Sequence, residues 1–117
     1  IDILVLDGIP RNVEQAKIIG SYLEVYMVIH LTCPDREELS RRMRKRALKE
    51  NRFDDASDEV ISHRIETYVE ETRPLVEYYA DKVVDIDATR QPVEVLGDII
   101  GELVKLDVYK ERAEIVV

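Results

Sequence analysis

Cysteine is nearly missing from this chain. Cys33 is the single one in 117 residues, which excludes a disulfide within the chain and any zinc site built from several cysteines. No apolar run approaches the roughly 20 residues a membrane-spanning helix needs, and no signal-peptide pattern is present. Initiator methionine is missing too: Ile1 opens the chain inside an apolar run, which suggests a piece cut from a longer protein. Positive charge is in deficit, 17 lysines and arginines against 25 acids for a net charge of −8, and this argues against general nucleic-acid binding. The expectation is a cytoplasmic chain with neither membrane nor nucleic acid as partner.

What is present is an ordinary globular balance, 45% apolar and 36% charged, at a length that suits one domain with one core. The basic residues are not spread evenly. Eight of them (Arg36, Arg41, Arg42, Arg44, Lys45, Arg46, Lys49 and Arg52) crowd a short segment against only Glu37, Glu38 and Glu50. Such a surplus fits either a focused anion site or a solvated helix face.

Three short apolar runs, residues 3–6, 25–31 and 82–86, read as strands. Their continuous rather than alternating apolarity suits a parallel sheet buried on both faces. Helix-period segments separate them. Residues 13–23 form the first, with Asn12 placed to cap it. Cys33-Pro34-Asp35 starts a second, with Pro34 at a tolerated first position, running to Arg46 or a little beyond. Asp54-Asp55-Ala56-Ser57 reads as a loop ending in a cap. A long helix over residues 58–79 follows, with Val60, Ile61, Ile65, Tyr68, Val69 and Thr72 on its apolar side, and Pro74 is expected to kink or break it. A last helix starts at Pro92 with Val93, Leu96, Ile100 and Leu103 on one face, and residues 107–117 make a charged tail. The order βαβα–α–βα is α/β, with right-handed parallel crossovers.

The string Asp7-Gly8-Ile9-Pro10-Arg11 follows the first apolar run, so Asp7 belongs at a strand's carboxyl end, where α/β folds place ligands. An acid there suits a magnesium ion held through water beside a nucleoside triphosphate. Gly8 permits close approach of a ligand to the backbone, Pro10 stiffens the turn, and Arg11 offers its fork to a phosphate. A structural Asp-Gly turn beside a surface arginine is the plainer alternative. Gln15 lies one helical turn past Arg11 and could read the edge of a base, or simply be solvated. Arg42 and Arg46 share a helix face at i, i+4, and Arg52, the pair Asp54 and Asp55, and Arg64 follow. Guanidinium groups held by aspartates suit a polyphosphate, whereas a surface network of such pairs is worth only about 0.3–0.5 kcal/mol each. His63, Cys33 and the tyrosines Tyr68, Tyr78 and Tyr79 read as structural.

Taken together, LDGIPRNVEQA, DREELSRRMRKR, NRFDDASDEVISHRIETYVEETRPLVEYY and VVDIDATRQPVEV resemble, in order, the motifs of the nucleoside monophosphate kinases, adenylate kinases most closely. The resemblance covers residues 4–106. It implies a three-layer parallel sheet, incomplete here, of which residues 1–117 are the C-terminal part of one kinase core domain with a short lid loop at about 46–55. It implies reversible phosphoryl transfer from MgATP to AMP, giving ADP, by a monomer. Arg11 is then the grip on the acceptor phosphate, Gln15 and Gly8 lie at its adenine, and Asp7 holds magnesium through water. Arg42 lies against the donor base and Arg46 against its phosphates. Arg52 and Arg64 close over both nucleotides, with Asp54 and Asp55 positioning them. Ala88, Thr89, Arg90, Gln91 and Pro92 form the loop that cradles the donor adenine. Ile9 departs from the family's usual aromatic, and Arg11-Asn12 is reminiscent of uridylate–cytidylate kinases. Asp55 to Arg64 is one residue longer than the common spacing. No G-x-x-x-x-G-K phosphate loop occurs in the 117 residues, so the chain by itself is expected to be inactive. The alternatives are a pyrimidine monophosphate (CMP/UMP) kinase and a non-catalytic nucleotide-binding domain.

Overall fold

A computed structural model describes residues 3–108. Helix α1, Val13–Gly20, begins where Asn12 accepts the Gln15 amide on its side-chain oxygen. It ends earlier than its apolar pattern suggests, because the Ser21, Tyr22 and Leu23 amides turn back to the Ile18 and Ile19 carbonyls. Strand β1 is Val28–Thr32, later than the expected 25–31. Helix α2, Arg36–Lys49, is capped by Asp35, whose carboxylate accepts from the Glu37 and Glu38 amides. Pro34 therefore stands before the cap rather than at the first helical position, and Asp35 takes the capping role that its short side chain suits.

The end of α2 is a complete Schellman turn. Asn51 adopts the left-handed conformation at φ 57°. Its amide bonds the Leu48 carbonyl at 3.2 Å, and the Arg52 amide bonds that of Ala47 at 2.8 Å. The segment expected as a lid loop is thus helical through Lys49, and Phe53–Ala56 is a 3-10 turn. Ser57 then caps α3, Asp58–Tyr79, by accepting the Val60 amide.

Pro74 does not break α3, contrary to expectation. It is exposed, and so is Glu70, whose carbonyl has no helical donor at Pro74, so the lost bond falls on the solvent side of the helix rather than in the core. Strand β2, Val83–Asp87, is shifted one residue from the expected 82–86 and pairs parallel with β1 from Val28↔Val83 to Thr32↔Asp87. In that register His30 faces Asp85, with Nδ1 2.9 Å from Oδ1, and Tyr68 of α3 reaches His30 Nε2 at 3.3 Å. Helix α4, Pro92–Leu103, starts with Pro92 in its first turn, as expected.

The sheet is α/β but has two strands among the described residues. Residues 3–6, expected as a strand, pair with neither, and Leu4, Val5 and Leu6 are exposed. A strand needs a ladder partner as well as an apolar sequence, and β1 offers them none. The expectation of strands buried on both faces fails for the same reason: Ile86 is buried, but Leu31 is 47% exposed. The core is small. Ala16, Ala47, Ile61, Ile65, Tyr79 and Ile86 are its buried members, and they hold α1 and α2 against α3. Tyr68 and Val69 lie at the rim instead. Tyr79 packs edge-on against Tyr78 at 5.1 Å between ring centres. On α4 the expected face holds only in part: Val93, Leu96 and Ile100 are exposed, while Leu103 is half-buried, as are Val95 and Ile99, which lie outside the expected set. Apolar residues occupy both sides of this helix, so periodicity alone could not choose. Most of the 107–117 tail lies outside the described residues. No described helix is long and apolar enough to cross a membrane.

Candidate functional site

The opening turn is built around one glycine. Gly8 has φ +80°, a conformation that ordinary side chains rarely adopt, and an added Cβ would touch Arg11 at 4.0 Å. The Ile9–Pro10 peptide is cis. Arg11 folds back over this turn, its Nε donating to the Gly8 carbonyl at 3.0 Å, while its amide donates to Gln15 Oε1 at 2.8 Å. Gln15 thus donates its backbone amide to the Asn12 cap and accepts from the Arg11 amide just before it, a close relative of the capping box at the start of α1. Its oxygen is committed to the helix start, which leaves its side-chain amide hydrogens for any other partner. Asp7 is exposed, and its carboxylate accepts no hydrogen bond among the described residues. Gly8, Arg11 and Gln15 are therefore brought together, with Asp7 adjacent.

A second group forms where α2 meets the loop after β2. Arg42 donates from Nη1 to the Ala88 carbonyl at 2.5 Å, from Nη2 to the Thr89 carbonyl at 2.9 Å, and from Nε to Glu38 Oε1 at 2.9 Å. The loop is shaped from its own side as well. Asp87 accepts from both the amide and the hydroxyl of Thr89, which holds its carboxyl below the usual carboxylate range. The Ala88 amide donates to the Thr32 carbonyl at 2.8 Å, tying the loop to the end of β1. Arg90 pairs with Asp98 of α4. Gln91 caps α4 through its carbonyl, which accepts from the Glu94 and Val95 amides. Between these elements lies an open crevice of about 340 Å³, with Arg42 and Arg90 on the polar side and Ala88, Pro92, Val95, Leu96 and Ile99 on the apolar side.

The remaining arginines are more dispersed. Arg46 is 76% exposed and pairs with Glu50, one turn along. Arg52 pairs with Glu50 and lies 3.9 Å from Asp55. Asn51, Arg52, Phe53, Asp54 and Asp55 surround an open recess of about 350 Å³. Asp55 therefore lies beside Arg52. Arg64 is exposed on α3 and forms no ion pair among the described residues, so neither aspartate holds it here. His63 is likewise exposed, and Cys33 donates weakly to the Asp35 carbonyl at 3.6 Å. No group of three or more metal-ligating side chains occurs among the described residues.

Two residues of this region escaped the sequence reading. Glu38 and Asp87 lie within the strings DREELSRRMRKR and VVDIDATRQPVEV, yet nothing in those strings marks them as the residues that shape the crevice, although Glu38 stands one helical turn before Arg42. Hydrogen bonds from Arg41 and then Arg42 hold its carboxyl down at about 2.

Fold and site define an α/β chain whose arginine-rich helix packs on the loop leaving a parallel strand, with a glycine–arginine turn elsewhere on its surface. No family model matches it. Curated relatives do, and they are adenylate kinases. The chain is 44% identical over 80 residues to the adenylate kinase of Leptospira biflexa serovar Patoc, covering 64% of this chain and 42% of that protein. It is 40% identical over 104 residues to that of Leifsonia xyli subsp. xyli, covering 84% and 52% respectively. With that of Chlamydia trachomatis serovar L2 it shares 33% over 135 aligned positions, covering 92% and 55%. The chain spans about half the length of these relatives, and it fits a partial adenylate kinase.

Proposed function

We propose that these residues are the C-terminal part of an adenylate kinase core with a three-layer parallel sheet, and that the whole protein transfers a phosphoryl group reversibly from MgATP to AMP. In this reading an AMP phosphate oxygen attacks the γ-phosphorus in line, the bond to the β-γ bridging oxygen breaks, and two ADP result. Binding and orientation are the work of this chain's residues. Arg11 grips the AMP phosphate beside Gly8, and the Gln15 amide hydrogens meet the base. Arg46, Arg52 and Arg64 neutralise charge on the transferred group, with Asp55 beside Arg52 to steer it. Arg42 and residues 88–91 hold the donor base.

The observation that carries this reading is the fork of Arg42 on the Ala88 and Thr89 carbonyls. It fixes a guanidinium in the lining of a crevice whose other members are mostly apolar, a combination that suits a planar base. Magnesium fits the donor chemistry of Asp7, an exposed carboxylate oxygen with no competing partner among the described residues, since that ion takes one or two carboxylates and completes its shell with water and phosphate. When bound, it would neutralise charge between the β- and γ-phosphates.

The Arg11-Asn12 pair favours the second reading, a pyrimidine monophosphate kinase. Turnover with MgATP against AMP, CMP and UMP, using the longest form of the protein that contains these residues, separates the two. AMP preferred over both pyrimidines is the expected result, and a preference for CMP or UMP overturns it. No phosphotransfer to any of the three would favour a non-catalytic nucleotide-binding domain.

A further inference from the structure

We infer that Glu38 is a positioning residue for the donor-base crevice: it orients the Arg42 guanidinium so that its fork closes the loop of residues 88–91 and its face lines the crevice. This rests on the reading of that crevice as a nucleotide site. An i, i+4 Glu–Arg pair on a helix is ordinarily a local surface contact of little consequence. Arg42 differs because its other partners are remote in sequence, the carbonyls of Ala88 and Thr89 beyond β2.

The geometry explains why the acid is needed. A guanidinium presents its N–H groups in one plane and rotates about its flexible stem. Two bonds to neighbouring carbonyls fix one edge, and the third, from Nε to Glu38 Oε1 at 2.9 Å, fixes the opposite side of that plane. With edge hydrogens spent on Glu38 and on the loop, the flat face remains for a base. Glu38 is itself held: Arg41 donates from Nε to Oε2 at 2.8 Å and from Nη2 to Oε1 at 2.7 Å. Its side chain is only 27% exposed, so it is the more enclosed partner of both pairs. Arg41 touches neither carbonyl, which makes it the internal control.

Glu38→Ala, Glu38→Gln and Arg41→Ala, each first shown by circular dichroism to retain the helical content of the unmodified chain, test this. Amide hydrogen exchange at residues 88–90 reads the loop without any nucleotide, and fluorescence titration with mant-ATP, labelled on the ribose so the base stays free, reads the crevice. Glu38→Ala should speed loop exchange and weaken mant-ATP about three- to tenfold, the loss of one charge-assisted contact. Glu38→Gln, which keeps an acceptor oxygen, should recover part of both effects, and Arg41→Ala, which frees one side of Glu38 but leaves its bond to Arg42, should change each less than Glu38→Ala does. Loop exchange in Glu38→Ala equal to that of the unmodified chain overturns the inference. So does Arg41→Ala behaving like Glu38→Ala, or a loosened loop with undiminished mant-ATP affinity. If the unmodified chain binds no mant-ATP, the donor-site reading fails instead, and the exchange data alone decide whether Glu38 holds the loop.

Discussion

Asn51 offers the sharpest test of how the sequence sets the position of Arg52. It occupies the left-handed region at φ 57°, and the α2 terminus depends on that single conformation. An ordinary L-residue there costs about 1–2 kcal/mol, and asparagine tolerates it better because its short amide bonds locally. Asn51→Ala should therefore lose about 1 kcal/mol, a fall of about 3–6 °C in melting temperature for a domain of this size. Asn51→Gly removes the Cβ that causes the penalty, and it should stay within about 0.5 kcal/mol of the unmodified chain. Thermal and urea unfolding followed by circular dichroism measure both. Amide exchange adds a local reading, because the Arg52 amide closes the turn on the Ala47 carbonyl at 2.8 Å and should exchange faster only in the alanine variant. An alanine variant as stable as the original, or a glycine variant less stable than the alanine one, refutes the argument.

Other expectations follow from the same structure. Arg11→Ala should weaken AMP by about 10- to 100-fold, the scale of lost hydrogen bonds to a charged group, and Arg11→Lys should recover only part of it in a calorimetric titration. Ile65, 4% exposed on α3, should cost about 2–5 kcal/mol as Ile65→Ala and about 0.5–1.5 as Ile65→Val in urea unfolding. The Glu38 carboxyl titrates at about 2 in the fold against an ordinary 4.5, so its stabilising contribution is complete above about pH 4.5 and is lost as pH falls toward 2. Glu38→Gln should flatten that part of the stability profile, and urea midpoints from pH 2 to 6 that fall in parallel for both proteins would contradict it.

The helix starts were legible because their chemistry is local. Asn12 and Ser57 each bond an amide three residues ahead, and the sequence carries both partners, whereas at α2 Pro34 drew the expected start two residues too early and Asp35 is the cap. The strands were less so, since a ladder depends on a neighbour remote in sequence. Residues 3–6 carry as strong an apolar signal as Val28–Thr32, yet only the latter has a partner. Arg42 and Arg46 could be placed on one face from their spacing, but what each touches could not. One closes on the loop beyond β2 and the other pairs with Glu50, because only the first faces another element. The committed oxygen of Gln15 was hidden for a related reason: a glutamine one helical turn past Arg11 reads as a base contact or as a solvated side chain, and neither places its oxygen on the Arg11 amide.

The proposed function requires two nucleotide sites in these residues, one at the Gly8–Arg11 turn and one at the loop after β2. A two-dimensional NMR titration of the chain with AMP and with ATP tests it most directly. AMP should shift the amides of residues 8–15, and ATP those of residues 88–91 together with the Arg42 side-chain signal. Millimolar nucleotide that leaves both sets unmoved, or shifts that fall elsewhere on the chain, would contradict it.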